Sequence, residues 1–83
     1  MNIELDLVKD YLVNSIEHCP SEDVAVEELM RNSDNPNNQE LKLKIQGMVH
    51  EWLDSEHTKF SLMILDGQKS EKMLTQFILK HLS

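Results

Sequence analysis

Apolar residues recur every three or four positions between residues 41 and 53, which is the period of one face of an α-helix. This stripe consists of Leu41, Ile45, Met48, Val49, Trp52 and Leu53. The whole chain of 83 residues contains only two glycines and two prolines, and the same period of three and four recurs elsewhere in it. The sequence therefore predicts an all-α fold, a small bundle of four to five short helices that a second copy of the chain can complete.

The predicted helices are delimited by residues that break or cap a helix. We predict helices at about residues 3–18, 22–32, 38–56 and 70–82. Pro20 disfavours helical geometry in the residue before it, and Ser21 can then cap the second helix. Asn37 and Glu40 have the spacing of a capping box at the start of the third helix.

Residues 59–66 include a continuous apolar run, which is typical of either a buried helical turn or a buried strand. We favour a short helix that is capped near Thr58 and ends at Gly67, because no other segment resembles a strand that could pair with this one. The alternative is a strand that adds to the sheet of a partner protein.

The first helix is apolar on more than one side. Its main stripe consists of Leu5, Val8, Leu12, Ile16 and Cys19, with Tyr11 at the edge. Ile3, Leu7 and Val13 fall outside that stripe. The first helix is therefore the leading interface candidate, and burial within a compact monomer is the alternative. The inward residues predicted for the second and fourth helices are Val24 or Ala25, Val26, Leu29, Met30, Met73, Leu74, Phe77 and Ile78.

A second candidate interface lies on the third helix. Gly47 costs about 1 kcal/mol relative to alanine in a helix interior, which indicates a close approach of another helix. Together with Leu43 and His50 it forms an outward patch, away from the apolar stripe, where another helix can dock. The alternative is a tolerated glycine beside one outward leucine. Leu7, Val13, Leu43, Gly47 and His50 are thus the predicted partner-binding residues.

Charge is unevenly distributed along the chain. The net charge of −7 divides into −8 for residues 1–40 and +1 for residues 41–83. Direct nucleic-acid binding is disfavoured, because lysine and arginine supply most of the affinity for phosphates. We expect an acidic surface that attracts a basic partner, carried by Glu17, Glu22, Asp23, Glu27 and Glu28. The alternative is that these acids only provide solubility and favourable helix N-termini.

Length and cysteine usage limit the organisation of the chain. We expect one domain covering residues 1–83, near the lower size at which a single core suffices, which favours a homodimer. Cys19 is the only cysteine, so an internal disulfide is excluded and a reducing, cytoplasmic location is expected. The longest apolar run, residues 62–65, is too short to cross a membrane, and the acidic start does not resemble a signal peptide.

Two polar segments contain residue types that bind metal ions. The asparagine-rich residues 31–41 lack the glycine and the glutamate that a calcium loop needs at fixed positions, so a turn and a helix cap are favoured. His50, Asp54 and His57 would share one face of a regular helix, where two imidazoles and a carboxylate could hold zinc. Polar residues at this spacing more often form a solvated face of a helix than a metal site. We therefore predict neither a metal nor a cofactor.

No arrangement typical of catalysis is present in the sequence. His18 and Cys19 are adjacent, and consecutive helical residues point about 100° apart, so they do not face each other. We expect Cys19 to be a small buried residue and His81 to lie at the core edge with a backbone partner. Neither glycine belongs to a phosphate-binding loop. The sequence therefore predicts a protein that is not an enzyme.

Residues 25–38, AVEELMRNSDNPNN, resemble a stretch of the small enterobacterial biofilm-development and acid-resistance regulators. The pattern A-V-x-x-L-M followed by D-N-x-N-N carries the resemblance, which covers fourteen residues. It implies a helical, dimeric protein. The functional predictions rest on the residues and not on this resemblance.

These observations favour a non-enzymatic regulatory or adaptor protein that binds another protein through helical surfaces, as a homodimer. An alternative is an inhibitor whose acidic surface imitates a nucleic-acid backbone and blocks a DNA- or RNA-binding protein. A third, less favoured function is a helix-turn-helix DNA reader that uses Lys42 and Lys44.

Overall fold

The structure is a computed structural model, and it describes residues 3–63 and 67–82. These residues form helices and no strand, which confirms the predicted all-α fold. The helices are α1 (Leu5–His18), α2 (Glu22–Arg31), α3 (Gln39–Glu51), a π-helical turn (Trp52–Glu56), α4 (His57–Met63) and α5 (Gly67–Leu82). Since α3, the π-helical turn and α4 follow one another without a break, the described chain has four separate helical stretches. Its radius of gyration is 12.0 Å.

The connection between α1 and α2 confirms one prediction and corrects another. The side chain of Ser21 accepts a hydrogen bond from the backbone nitrogen of Val24, as expected of a helix cap. Cys19, however, is exposed, so the prediction that it is buried was wrong. It follows the last residue of α1 in a left-handed conformation, with φ 45° and ψ 56°, and the helical period no longer sets the direction of its side chain.

The start of α3 lies one residue later than predicted. The side chain of Asn38, not that of Asn37, accepts the hydrogen bond of the Leu41 backbone nitrogen, at 3.1 Å. The prediction of Asn37 as the cap was wrong because the backbone nitrogen of Asn38 first closes a turn onto the carbonyl oxygen of Asn35. Asn37 is an exposed residue inside that turn.

The segment after α3 differs most from the prediction. The third helix does not end at Glu56, and no cap forms at Thr58, because the π-helical turn carries the helix onward to Met63. Residues 59–63 are therefore helical, and the alternative of a strand was wrong for them. Residues 64–66 of the predicted short helix lie outside the described residues. Gly67 is the first residue of α5 and does not end the helix before it.

Trp52 lies at the centre of the core. Its side chain is 1% exposed and packs at a tilt against Phe60 and Phe77, with ring centroids 5.7 Å away in each case. The predicted stripe of α3 is buried, apart from the partly buried Leu53. The other buried apolar residues are Ile3, Val8, Leu12, Ala25, Val26, Leu29, Met30, Leu74, Ile78 and Leu82. On α2, Ala25 is therefore the inward residue and Val24 is exposed.

Among residues 3–63 and 67–82, no helix is long and apolar enough to cross a membrane.

Candidate protein-binding surface

Helices α2 and α3 form a hairpin that carries most of the candidate surface. His50, near the end of α3, makes a 3.1 Å contact through Nδ1 with Oε1 of Glu22, the first residue of α2. The short connection of residues 32–38 joins the opposite ends of these two helices. The two helices therefore run antiparallel, side by side, with a groove between them.

The groove between α2 and α3 has a volume of about 480 Å³. Its lining residues recur at helical spacing on each wall, and they are Asp23, Val26, Glu27, Met30, Arg31, Pro36, Lys42 and Gln46. Val26 and Met30 belong to the buried core, so they form an apolar floor. The charged side chains stand on the rim, where they are exposed.

Both signs of charge are present on this rim. Arg31 contacts Glu27 one turn earlier on α2, with 3.2 Å between Nη2 and Oε1. Asp23 on α2 and Lys42 on α3 make no ion pair with any residue that the structure describes. An unpaired negative charge therefore stands on the α2 wall of the groove and an unpaired positive charge on the α3 wall.

The predicted patch on α3 is only partly apolar. Leu43 is 68% exposed, whereas His50 is engaged by Glu22. A methyl group at Gly47 would come within 3.9 Å of Nδ1 of His81, an ordinary van der Waals distance. A close helix approach therefore does not require a glycine at this position, and Leu43 is the apolar part of the patch.

The first helix presents Leu7 more than Val13. The side chain of Leu7 is 43% exposed, whereas Val13 packs partly buried against the core and Ile3 is buried. Leu7 and Val13 are six residues apart, which places them roughly 120° apart around a helix. They do not form one continuous apolar face. The neighbours of Leu7 on the exposed side of α1 include Asp6 and Asp10, so this leucine has acidic surroundings.

The predicted acidic residues differ in their surroundings. Glu22 contacts His50 and Glu27 contacts Arg31, as described above. Glu28 lies near Tyr11, where burial first and the charge of Glu28 second raise the pKa of the tyrosine hydroxyl above 10.0. Glu17 and Asp23 are exposed, and they make no ion pair within the described residues.

The π-helical turn separates the residues considered as zinc ligands. It lies between His50 and His57, so the spacing of a regular helix no longer places them on one face. Nδ1 of His57 lies 2.8 Å from the carbonyl oxygen of Trp52. A carbonyl only accepts, so Nδ1 of His57 carries the proton. Across residues 3–63 and 67–82, no group of three potential metal ligands comes together.

His81 has a carboxylate partner, so the expectation of a backbone partner was wrong. Its Nε2 lies 2.6 Å from Oε2 of Glu51, and its ring meets the edge of Phe77 at a centroid distance of 5.0 Å. Nζ of Lys80 lies 3.4 Å from the other oxygen of Glu51. The hydrogen bond from His81 is the largest cause of the lowered pKa of Glu51; burial opposes it, and the charge of Lys80 adds to the lowering. This cluster fastens α5 to α3.

Sequence reasoning did not identify the groove. Asp23 and Glu27 were expected to contribute to a uniformly acidic surface, and Lys42 was considered only as a contact to DNA. The groove depends on the antiparallel pairing of α2 and α3, which brings together residues about twenty positions apart. The only signal in the sequence was the short, polar connection between two helices, which is typical of neighbours that run antiparallel.

Comparison of the chain with protein-family models, with curated proteins and with solved structures gives no match.

Proposed function

We propose that the protein is a non-enzymatic regulatory or adaptor protein of the cytoplasm, which forms a homodimer and binds a second protein through a helical surface. The observation that carries this proposal is the exposure of two leucines on different helices, Leu7 on α1 and Leu43 on α3. Burial of apolar surface is the main favourable contribution to protein association. Because the two exposed leucines lie on different helices, one can contact a second copy of the chain while the other contacts a partner protein.

We assign the partner contact to α1. Leu7 is exposed beside Asp6 and Asp10, so a partner with an apolar pocket rimmed by lysine or arginine would complement this surface. The negative charge of residues 1–40 would accelerate the encounter with such a partner at low salt. The partner contact thus combines one apolar anchor with long-range attraction.

Affinity purification from the native cells, followed by mass spectrometry, tests this assignment. The baits are the wild-type chain, Leu7→Gln, and Leu62→Gln as a matched control, because Leu62 is an exposed leucine on α4. We expect one protein to be enriched with the wild type and with the control, and to be lost with Leu7→Gln. Circular dichroism should show equal helix content for all three chains. Equal enrichment with all three baits would contradict the role of Leu7, and no enriched protein would contradict the function.

A nucleic-acid mimic is the second candidate function, supported by the exposed and unpaired Glu17 and Asp23. It predicts binding to a basic DNA- or RNA-binding protein that is lost in Glu27→Lys plus Glu28→Lys, and that weakens strongly with added salt. Arg31 and Lys42 on the groove rim would repel such a partner, which favours the adaptor function. The helix-turn-helix DNA reader has the least support. One of its two lysines, Lys44, forms an ion pair with Glu40 at 3.8 Å, so its charge is already partly neutralised.

A further inference from the structure

A cleft of about 260 Å³ lies between α1 and α2. Helix α1 packs chiefly against α5 and α2 against α3, and the cleft is the space left between α1 and α2. Tyr11 and Glu28 line one part of it, and His18 and Pro20 line the part next to the connection of the two helices. Its volume is below the range of about 300–1,000 Å³ that is usual for small-molecule sites, and it suits a single long side chain.

The wall that α1 contributes to this cleft is continuous with Leu7. Leu7, Tyr11, Asn14 and His18 are spaced by four, three and four residues, so they share one face of the helix. Tyr11 follows Leu7 by four residues, which is about 6 Å along the helix axis. A partner that covers the exposed Leu7 therefore also reaches the part of the cleft beside Tyr11.

The charge of this part of the cleft comes from Glu28. Its carboxylate makes no ion pair with any residue that the structure describes. The lysine of α1 and the arginine of α2 are engaged elsewhere, since Lys9 contacts Glu71 and Arg31 contacts Glu27. Glu28 is already partly buried, and an apolar occupant would remove its carboxylate from water without a compensating cation. The charge therefore favours a cationic occupant.

The rest of the lining suits the two parts of a basic side chain. The face of an aromatic ring attracts a cation, and the partly buried ring of Tyr11 lies near Glu28. Val24, which is 46% exposed, and Pro20 offer apolar surface to the methylene groups of the same side chain. His18 lies seven residues from Tyr11, about 10 Å along α1, so a cation beside Glu28 does not meet the imidazole.

We propose that this cleft binds a lysine or arginine side chain of the partner protein, whose cationic group contacts the carboxylate of Glu28 and the ring of Tyr11. The same partner would place its apolar pocket over Leu7, about one helical turn away. This inference rests on the partner contact in the proposed function, and it adds the residues that receive the basic side chain.

A charged probe and its neutral counterpart test the cleft directly on the full chain. The probe is Nα-acetyl-arginine amide, and the control is Nα-acetyl-citrulline amide, which has nearly the same shape without the charge. Binding is read from the amide signals of the nitrogen-15-labelled protein. We expect the arginine probe to shift the amides of Asn14, Val24 and Glu28, and to saturate at millimolar concentration, as a fragment of this size does. The citrulline probe should bind about tenfold more weakly.

Two neighbouring glutamates on α2 provide matched variants. Glu28→Gln and Glu27→Gln remove the same charge, but only Glu28 lines the cleft. We expect Glu28→Gln to raise the dissociation constant of the arginine probe by about tenfold, and Glu27→Gln to leave it nearly unchanged. Tyr11→Leu keeps an apolar side chain but removes the aromatic face, and should raise the dissociation constant by about threefold. The amide spectrum of each free variant reports whether it is folded.

The outcomes for the cleft are distinguishable from those for the proposed function. No saturable shift at the cleft, equal binding of the two probes, or equal losses in the two glutamine variants would overturn the cleft and leave the purification with Leu7→Gln unaffected. If the arginine probe binds as expected but no protein is captured, the proposed function fails and the cation site stands.

A captured partner gives the second reading. It should be lost with Glu28→Gln as bait and retained with Glu27→Gln. Retention with both baits would overturn the assignment of the cleft to this partner.

Discussion

The indole nitrogen of Trp52 donates a 2.7 Å hydrogen bond to the hydroxyl oxygen of Ser15, inside the core. The Ser15 hydroxyl in turn donates to the carbonyl oxygen of Leu12, at 2.6 Å. These two bonds satisfy the polar hydrogens of both side chains and tie α1 to the start of the π-helical turn. They also orient α1, which presents Leu7 to solvent.

Replacing Ser15 with alanine should destabilise the protein by about 1–3 kcal/mol, because the buried indole nitrogen of Trp52 loses its acceptor. Urea unfolding followed by circular dichroism measures this change. Ser61 is an exposed serine on α4, and Ser61→Ala should leave the free energy of unfolding nearly unchanged. If both alanine variants unfold at the wild-type urea concentration, the bond between Trp52 and Ser15 does not stabilise the fold.

Asn38→Ala should cost about 1 kcal/mol, because its side chain caps α3. Asn37→Ala, one residue earlier, removes an exposed side chain in the preceding turn and should cost much less. Thermal or urea unfolding of the two variants compares them directly. The reverse order of stability would place the cap at Asn37 and contradict the structure.

Cys19→Gly should stabilise the protein by about 0.5–1 kcal/mol, because glycine adopts a left-handed conformation without the steric cost that a side chain brings. The exposed thiol contributes no core burial that the change would lose. Cys19→Ala is the matched control, since alanine removes the thiol and keeps the steric cost. Equal stability of the glycine and alanine variants would argue against the left-handed conformation.

The pair of Glu51 and His81 predicts a loss of stability in acid. The hydrogen bond from His81 lowers the pKa of Glu51 below its ordinary value of 4.5, so the folded chain binds fewer protons at this group than the unfolded chain does. The stabilisation is therefore present above pH 4.5 and is lost as the pH falls through the lowered pKa. Lys80 contributes to the same shift.

Urea unfolding of the wild type and of Glu51→Gln, between neutral pH and about pH 3, measures this dependence. The wild type should lose more stability toward acid than the variant, which has no carboxyl to protonate at this position. His81→Gln, which removes the main cause of the lowered pKa, should also flatten the profile. Parallel profiles for all three chains would contradict the assigned role of the pair.

The regular part of the fold was predictable from local pattern. The stripe from Leu41 to Trp52 follows the helical period over several turns, and Ser21 after Pro20 marks a helix start by its own chemistry. The π-helical turn was not predictable from the apolar stripe, because that stripe keeps the period of a regular helix through Trp52 and Leu53. The burial predicted for Cys19 was wrong because its backbone adopts a left-handed conformation. The cap was predicted at Asn37 and lies at Asn38, because a turn closed by Asn38 and Asn35 precedes the helix.

The candidate surface was predictable in its exposed residues and not in its shape. Leu7 and Leu43 stood outside the apolar stripes, and both are exposed. The contact of Glu22 with His50 and that of Glu51 with His81 join positions about thirty residues apart. Such contacts depend on how the helices pack, which no local spacing in the sequence specifies. The groove between α2 and α3 is unpredictable for the same reason.

Self-association is the central claim, and sedimentation equilibrium of the wild-type chain at micromolar concentration tests it most directly. We predict a species of twice the chain mass of 9.7 kDa, which dissociates on dilution. A single species of 9.7 kDa at every concentration would contradict it.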